Sequence, residues 1–127
     1  MKILAHNDYT SPAASNASTL VLANDANALE VNLQGITQID LHFPAFTDGR
    51  AFSQAYLLRR RLKFAGDIRA TGDVLIDQLV QMHRTGFTSA VLREGVDPAD
   101  AQRQFERFRG FYQADAVHTQ APFAEQP

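Results

Sequence analysis

From Ile39 onward the chain alternates strand-like and helix-like segments, and this alternation is the feature that most restricts its fold. The strand-like segments contain alternating or continuous apolar residues, and the helix-like segments repeat apolar residues at helical spacing. Short, glycine-containing links join them, which implies parallel strands and right-handed crossovers. The sequence therefore predicts an α/β fold. The predicted strands are 38–43, 67–71 and 87–92, and the predicted helices are 50–64, 73–85 and one starting at Asp97.

The N-terminal half is expected to add one or two strands. Residues 20–23 form a short apolar run typical of a strand, whereas 29–33 fit either a second strand or an ordered connection. We therefore expect a small, mostly parallel sheet of four to five strands with three helices, open or half-barrel-like. Because a parallel sheet needs cover on both faces and three helices are few, we also predict a homodimer in which a second copy covers the spare face.

The length and composition fit one globular domain. The chain has 127 residues, of which 45% are hydrophobic and 20% charged, as in ordinary soluble domains. Both ends lack periodicity and contain small or polar residues. We expect a flexible N-terminal tail at 1–18, a single α/β domain at 19–113 and a flexible C-terminal tail at 114–127.

Charge and residue usage exclude several classes of function. The net charge of −2 gives no basic surplus for nucleic-acid binding, and no apolar run approaches the ~20 residues of a membrane span. The absence of cysteine excludes thiolate catalysis and iron–sulfur clusters. The sequence contains no phosphate-binding glycine loop, dinucleotide fingerprint or serine nucleophile elbow, so we expect no cofactor. With no signal-peptide pattern, a cytoplasmic location is expected.

A candidate binding site lies where the carboxyl ends of the strands are predicted to meet, an edge that we call the rim. Backbone N–H groups at helix starts and planar arginine side chains there suit a small oxyanion such as sulfite, sulfate or phosphate. The candidate residues for an anion or partner site are Thr47, Asp48, Gly49, Arg50, Arg69, Thr71, Gly72, Asp73 and Asp77. A third loop adds Arg93, Glu94, Gly95 and Asp97 to the same edge.

A structural interpretation of the rim stays open. Asp48 and Asp73 can cap helices, and a capping carboxylate satisfies the N–H groups that an anion would need. Arg50 and Arg69 can then pair with these carboxylates instead of with a ligand.

Other charged residues give weaker signals. Arg59, Arg60 and Arg61 are adjacent, so rotation by about 100° per residue prevents them from sharing one helix face. They fit a solvated helix face, or alternatively a surface that docks a partner. Asp40 and His42 share one face of a strand, but no third ligand is evident, so we predict no metal site.

A long segment of the chain closely resembles the signature of a bacterial family, domain of unknown function 934 (DUF934). The resemblance extends over about 20–113. The matching residues are Phe43, Pro44, Phe46 to Arg50, Ser53, Leu58, Arg59, Arg61, Gly66, Arg69, Ala70, Gly72 to Val74, Asp77 to Leu79, Gly86, Phe87, Asp97, Pro98, Tyr112 and Gln113. Members of this family are often described as oxidoreductases involved in sulfite reduction.

The resemblance implies a role in assimilatory sulfite reduction. Because the sequence has no cysteine, cofactor motif or metal-ligand pattern, we expect an accessory protein that binds a small oxyanion or docks onto a sulfite reductase through the rim. One alternative is a small enzyme in which Asp48, Asp73 or Asp77 is the acid or base and the arginines hold an anionic substrate. The other is a purely structural, dimerising subunit.

Overall fold

A five-stranded sheet forms the centre of the protein, whose computed structural model describes residues 1–8 and 18–107. The strands are β1 (Lys2–Leu4), β2 (Thr19–Leu22), β3 (Gln38–Phe43), β4 (Asp67–Gly72) and β5 (Ser89–Val91). All neighbouring strands are parallel, in the order β1-β5-β4-β3-β2. The predicted α/β fold with an open, parallel sheet is confirmed, and β1 and β2 form its two edges.

Three helices follow the last three strands. They are α1 (Arg50–Arg60), α2 (Leu79–Thr85) and α3, whose described part is 98–107. The first two are shorter than predicted. A 3₁₀ helix at Ile76–Gln78 occupies the start of the segment predicted as α2, and α1 ends before Lys63, which has a positive φ of 58°. None of the described helices is long and apolar enough to cross a membrane.

The N-terminal segments differ from the prediction in one place, and in another the structure decides between two alternatives. Residues 2–4, which the sequence analysis assigns to a flexible tail, form β1 and pair with β5. Residues 28–30 form a 3₁₀ helix, so the 29–33 segment is an ordered connection and not a strand. Residues 6–8 of the same expected tail form a 3₁₀ helix, whereas 9–17 and 114–127 lie outside the described residues.

One face of the sheet forms the core. Ile39 and Leu41 of β3 are fully buried, and the register places Ile68 and Ala70 of β4 beside them. Buried residues of α1, α2 and α3 belong to the same apolar cluster as these strand residues. The three helices therefore pack on one face of the sheet, as expected when consecutive strands are neighbours.

The opposite face, which we call the polar face, differs in composition. Strand alternation places Asp40 and His42 of β3 on this face, together with Arg69 and Thr71 of β4 and Ser89 of β5. Parallel sheets covered by helices on both faces are apolar on both. The polar face weakens the argument that apolar burial requires a second copy of the chain, and the homodimer stays a prediction.

Candidate functional site

The first rim loop joins β3 to α1, and its two charged residues pair with each other. The Arg50 guanidinium donates to both carboxylate oxygens of Asp48, from Nε at 3.2 Å and from Nη2 at 2.9 Å. The Arg50 backbone N–H also donates to Asp48 Oδ1 at 3.0 Å, which forms a turn at the start of α1. The hydrogen bonds from Arg50 lower the pKa of Asp48. Asp48 therefore neutralises much of the positive charge that the sequence places at this helix start.

Asp73, at the end of β4, links the three rim loops. Its Oδ2 accepts a hydrogen bond from the Phe46 N–H at 2.8 Å, and its Oδ1 lies 3.3 Å from Nε of Arg93. The Phe46 carbonyl in turn accepts from Gln78 Nε2 at 2.9 Å. Asp73 therefore has a structural role, but not the predicted one: it caps no helix and pairs with Arg93, and its carboxylate holds neighbouring loops together.

The remaining rim candidates make fewer contacts. Gly49 is the N-cap of α1 and provides no side-chain cap, and Thr47 and Asp77 are exposed. Neither of these two side chains has a hydrogen bond or ion pair with a residue in the described part of the chain. The structure thus brings Asp48, Arg50 and Asp73 into paired contacts and leaves Thr47 and Asp77 at the surface.

Arg69 and Thr71 lie on the polar face and not among the helix starts. The register aligns Arg69 with Asp40 of β3 and with Ser89 of β5, so these three residues form a row across the sheet. Nε of Arg69 donates to Oγ of Ser89 at 3.0 Å, which orients the guanidinium along the row. Asp40 is only 2% exposed and accepts from Gln38 Nε2 at 2.8 Å.

A second row lies one residue pair nearer the rim. His42 aligns with Thr71, and Nδ1 of His42 is 3.4 Å from the Thr71 hydroxyl oxygen. The His42 ring packs against Gly72, where an added Cβ would lie 2.6 Å from the ring carbon Cε1. Gly72 also has a φ of +90°, which disfavours other residues. The glycine thus makes room for the imidazole at the open end of the polar face.

Arg59, the first of the three adjacent arginines at the end of α1, has a structural role. The Arg59 guanidinium donates to three backbone carbonyls: Gly86 at 2.7 Å, Phe64 at 2.9 Å and Gly66 at 2.6 Å. Burial lowers the pKa of Arg59. The prediction of a solvated face is therefore wrong for this arginine, although it fits Arg61, which is exposed.

A groove that the sequence analysis missed lies beside α1. Its volume is about 240 Å³, and it separates the first turns of α1 from the loop after β2. Residues 24–28 line one side, and Arg50, Ser53, Gln54 and Leu57 line the other. The spacing i, i+3, i+4, i+7 was the available signal, since it puts these four residues on one helix face. Three of the four residues are polar, and helix faces are usually recognised from apolar residues, so the pattern did not predict a groove.

The described residues, 1–8 and 18–107, contain no group of three or more histidine, aspartate or glutamate side chains close enough to hold a metal ion. Asp40 and His42 do lie on the same face of β3, as strand spacing predicts. The chemistry that the polar face offers is hydrogen bonding from a guanidinium, an imidazole and hydroxyl groups.

Comparison with known proteins identifies a family and no characterised relative. No curated protein and no solved structure matches the sequence. A family described as "bacterial protein of unknown function (DUF934)" matches residues 19–123. The match includes both rows of the polar face, the rim and the groove beside α1. The chain therefore belongs to the bacterial family DUF934.

Proposed function

We propose that this protein is an accessory protein of assimilatory sulfite reduction, located in the cytoplasm, that binds a small oxyanion on the polar face of its sheet. The proposal depends mainly on one observation. Arg69 and Thr71 lie beside Ser89 and His42 on a face that would be apolar in an ordinary helix-covered parallel sheet. Such a concentration of polar side chains is expected where a protein binds a polar ligand.

The geometry of the two rows favours an anion at the end of the polar face where His42 is exposed. A guanidinium binds tetrahedral or pyramidal oxyanions through two parallel N–H donors. The hydrogen bond from Nε of Arg69 to Oγ of Ser89 fixes the plane of the guanidinium. The His42 ring and the Thr71 hydroxyl lie one residue pair further along, where they can donate to the other oxygens of the same ligand.

Asp40 limits the expected affinity. Its carboxylate lies on the strand next to Arg69, so the first row has no net positive charge. Binding must then depend on directed hydrogen bonds more than on charge. We expect a dissociation constant on the order of 1 mM, which corresponds to about 4 kcal/mol.

Sulfite is chosen among oxyanions because members of the family are often described as involved in sulfite reduction. The arrangement of donors would also suit sulfate or phosphate. Direct comparison of these three ions is therefore part of the test.

The binding test is a calorimetric titration of the protein with sulfite, sulfate and phosphate. Arg69→Gln removes the charge and the paired donors, and we expect at least a tenfold loss of sulfite affinity. His42→Gln, at an exposed position, should cause a smaller loss of about threefold. Arg61→Gln is the matched control, because Arg61 is exposed at the end of α1 and lies outside both rows. Its affinity should equal that of the wild type.

The pathway test measures sulfide formed from sulfite in a host lysate that lacks this protein. Wild-type protein should restore sulfide production, and folded Arg69→Gln, checked by circular dichroism, should not. Equal affinities of wild type and Arg69→Gln would refute the polar-face site. Lack of any effect of the deletion would refute the sulfite-pathway role.

A second candidate function is docking onto a sulfite reductase through the rim. The observation that favours it is Phe46, a large aromatic residue that is 48% exposed beside charged loop residues. Exposed aromatic residues with arginines nearby are typical of protein–protein contacts. If Phe46→Ala abolishes rescue in the lysate while sulfite binding persists, docking is favoured over the anion site.

A further inference from the structure

Several polar side chains line the groove beside α1. It is an open groove of about 240 Å³ between the loop after β2 and one face of α1. Ligand pockets for drug-sized molecules range over about 300–1,000 Å³. A groove of this size therefore fits a smaller molecule, with about as many atoms as a free amino acid.

A buried acceptor without a donor lies in the groove wall. The Gln54 side chain is 4% exposed, and its Nε2 donates to the carbonyls of Ala23 at 2.8 Å and Ala26 at 3.1 Å. These two bonds fix the amide orientation, because both partners accept. Oε1 is buried and has no hydrogen-bond partner in the described part of the chain. An unsatisfied buried acceptor is costly, so a ligand or water that donates to it would be favoured.

A second acceptor lies across the groove. Asp25 is exposed in the loop after β2, and its carboxylate has no hydrogen bond or ion pair with any described residue. Ser53 is also exposed, and its hydroxyl likewise has no partner among the residues that the structure describes. These groups can receive a hydrogen-bond donor without breaking an existing contact.

Arg50, on the α1 side of the groove, contributes a guanidinium that is already paired with Asp48. This residue uses Nε and Nη2 for Asp48, and Nη1 makes no hydrogen bond within 1–8 or 18–107. Asp48 raises the pKa of Arg50, and Asp25 contributes to the same effect from the loop. A negative group and a positive group thus face the same small groove.

We propose that the groove beside α1 binds a small zwitterion with an ammonium group and a carboxylate group, such as a free amino acid. The ammonium would donate to the carboxylate of Asp25. The carboxylate would accept from Nη1 of Arg50 and from the Ser53 hydroxyl. This site is separate from the polar face, because α1 and the polar face lie on opposite sides of the sheet.

The test is a titration followed by nuclear magnetic resonance of the ¹⁵N-labelled full-length protein. The probe is L-serine, compared with ethanolamine, which lacks the carboxylate, and L-lactate, which lacks the ammonium. We expect L-serine to shift the amide signals of 24–28 and 50–57, and each half-molecule to bind at least fivefold more weakly. Equal binding of L-serine and either half-molecule would overturn the assignment of a zwitterion.

Two variants locate the site. Asp25→Asn is nearly isosteric in an exposed loop, and we expect it to weaken L-serine binding about tenfold. Glu106→Gln removes the same charge from an exposed position on α3 outside the groove, so its binding curve should match the wild type. Equal weakening by both variants, or no shift of the groove signals with L-serine, would refute the proposal.

The result is independent of the oxyanion proposal. Asp25→Asn should leave sulfite affinity unchanged, and Arg69→Gln should leave L-serine binding unchanged. Loss of both ligands in a variant that circular dichroism shows to be folded would contradict the assignment of two separate sites.

Discussion

At the scale of single residues, position decides the role of identical side chains. Arg59 and Arg61 are two positions apart at the end of α1, yet Arg59 donates to the carbonyls of Gly86 and Phe64, whereas Arg61 is exposed. A guanidinium has five donors in a fixed plane, so one arginine can join the end of α1 to the turn after α2. The first residue of the arginine run therefore stabilises the fold, and it offers little to a ligand.

The first stability prediction compares two identical substitutions in this run. Arg59→Met leaves the backbone carbonyls of Gly86, Phe64 and Gly66 without a charged donor, so we expect a loss of about 2–4 kcal/mol in the free energy of unfolding. Arg61→Met is the control and should change it by less than about 0.5 kcal/mol. Urea unfolding followed by circular dichroism measures both. Equal stability of the two variants would show that the buried hydrogen bonds of Arg59 contribute nothing.

At the scale of elements, helix starts are stabilised in different ways. α3 begins after Asp97, whose Oδ1 accepts from the Ala99 N–H at 2.9 Å, as an N-cap does. α1 begins after Gly49, which has no capping side chain, and Asp48 one residue earlier binds Arg50 instead. The capping role expected of Asp48 is thus replaced by a local turn and an ion pair.

The pH dependence of stability follows from this pair. The pKa of Asp48 is lowered from its ordinary value of 3.8, so the stabilisation is fully present above pH 3.8 and is lost as the pH falls through the lower, folded-state pKa. Asp48→Asn cannot form the ion pair at any pH. The difference in melting temperature between wild type and this variant should therefore be constant above about pH 5 and shrink below pH 3.8.

Thermal unfolding between pH 2.5 and 7 measures that difference. Asp77→Asn controls for the loss of one negative charge, since the exposed Asp77 side chain has no hydrogen bond or ion pair with a described residue. A difference that stays unchanged down to pH 2.5 would mean that the ion pair of Asp48 with Arg50 does not stabilise the start of α1.

At the scale of the whole molecule, one apolar cluster joins every helix to the sheet. The cluster extends from Leu22 of β2 to Phe105 of α3. The last described helix therefore shares one core with β2 and β3. Phe105 is 1% exposed and packs edge-on against the His83 ring at 5.7 Å. Unfolding is therefore expected to be a single cooperative transition.

A pair of phenylalanine substitutions tests this cooperativity. Phe105→Ala leaves a cavity in the shared core and should cost about 3–5 kcal/mol while the transition stays single. Phe46→Ala removes a ring that is 48% exposed, so its cost should be below about 1 kcal/mol. Denaturant unfolding followed by both far-UV circular dichroism and tyrosine fluorescence measures the two variants. Separate transitions for the two signals in Phe105→Ala would contradict a single core.

The sequence by itself determines the alternation of strands and helices from Gln38 onward and the inward or outward direction of most residues in those strands. These features are local: alternation in 38–43 and the capping pattern at Asp97 are repeated in the structure because each depends on a few neighbouring residues. The same local argument predicts that Asp40 and His42 share a face, which they do.

Only the tertiary structure decides which polar residues meet. The row of Asp40, Arg69 and Ser89 depends on the register of three strands, and a shift of one residue would move each side chain to the other face. Likewise, Arg59 reaches Gly86 only because α1 packs beside α2. β1 becomes a strand because β5 offers it a partner, although its own three residues are too few to predict one. Contacts between distant segments depend on packing that no local pattern encodes, and both proposed sites consist of such contacts.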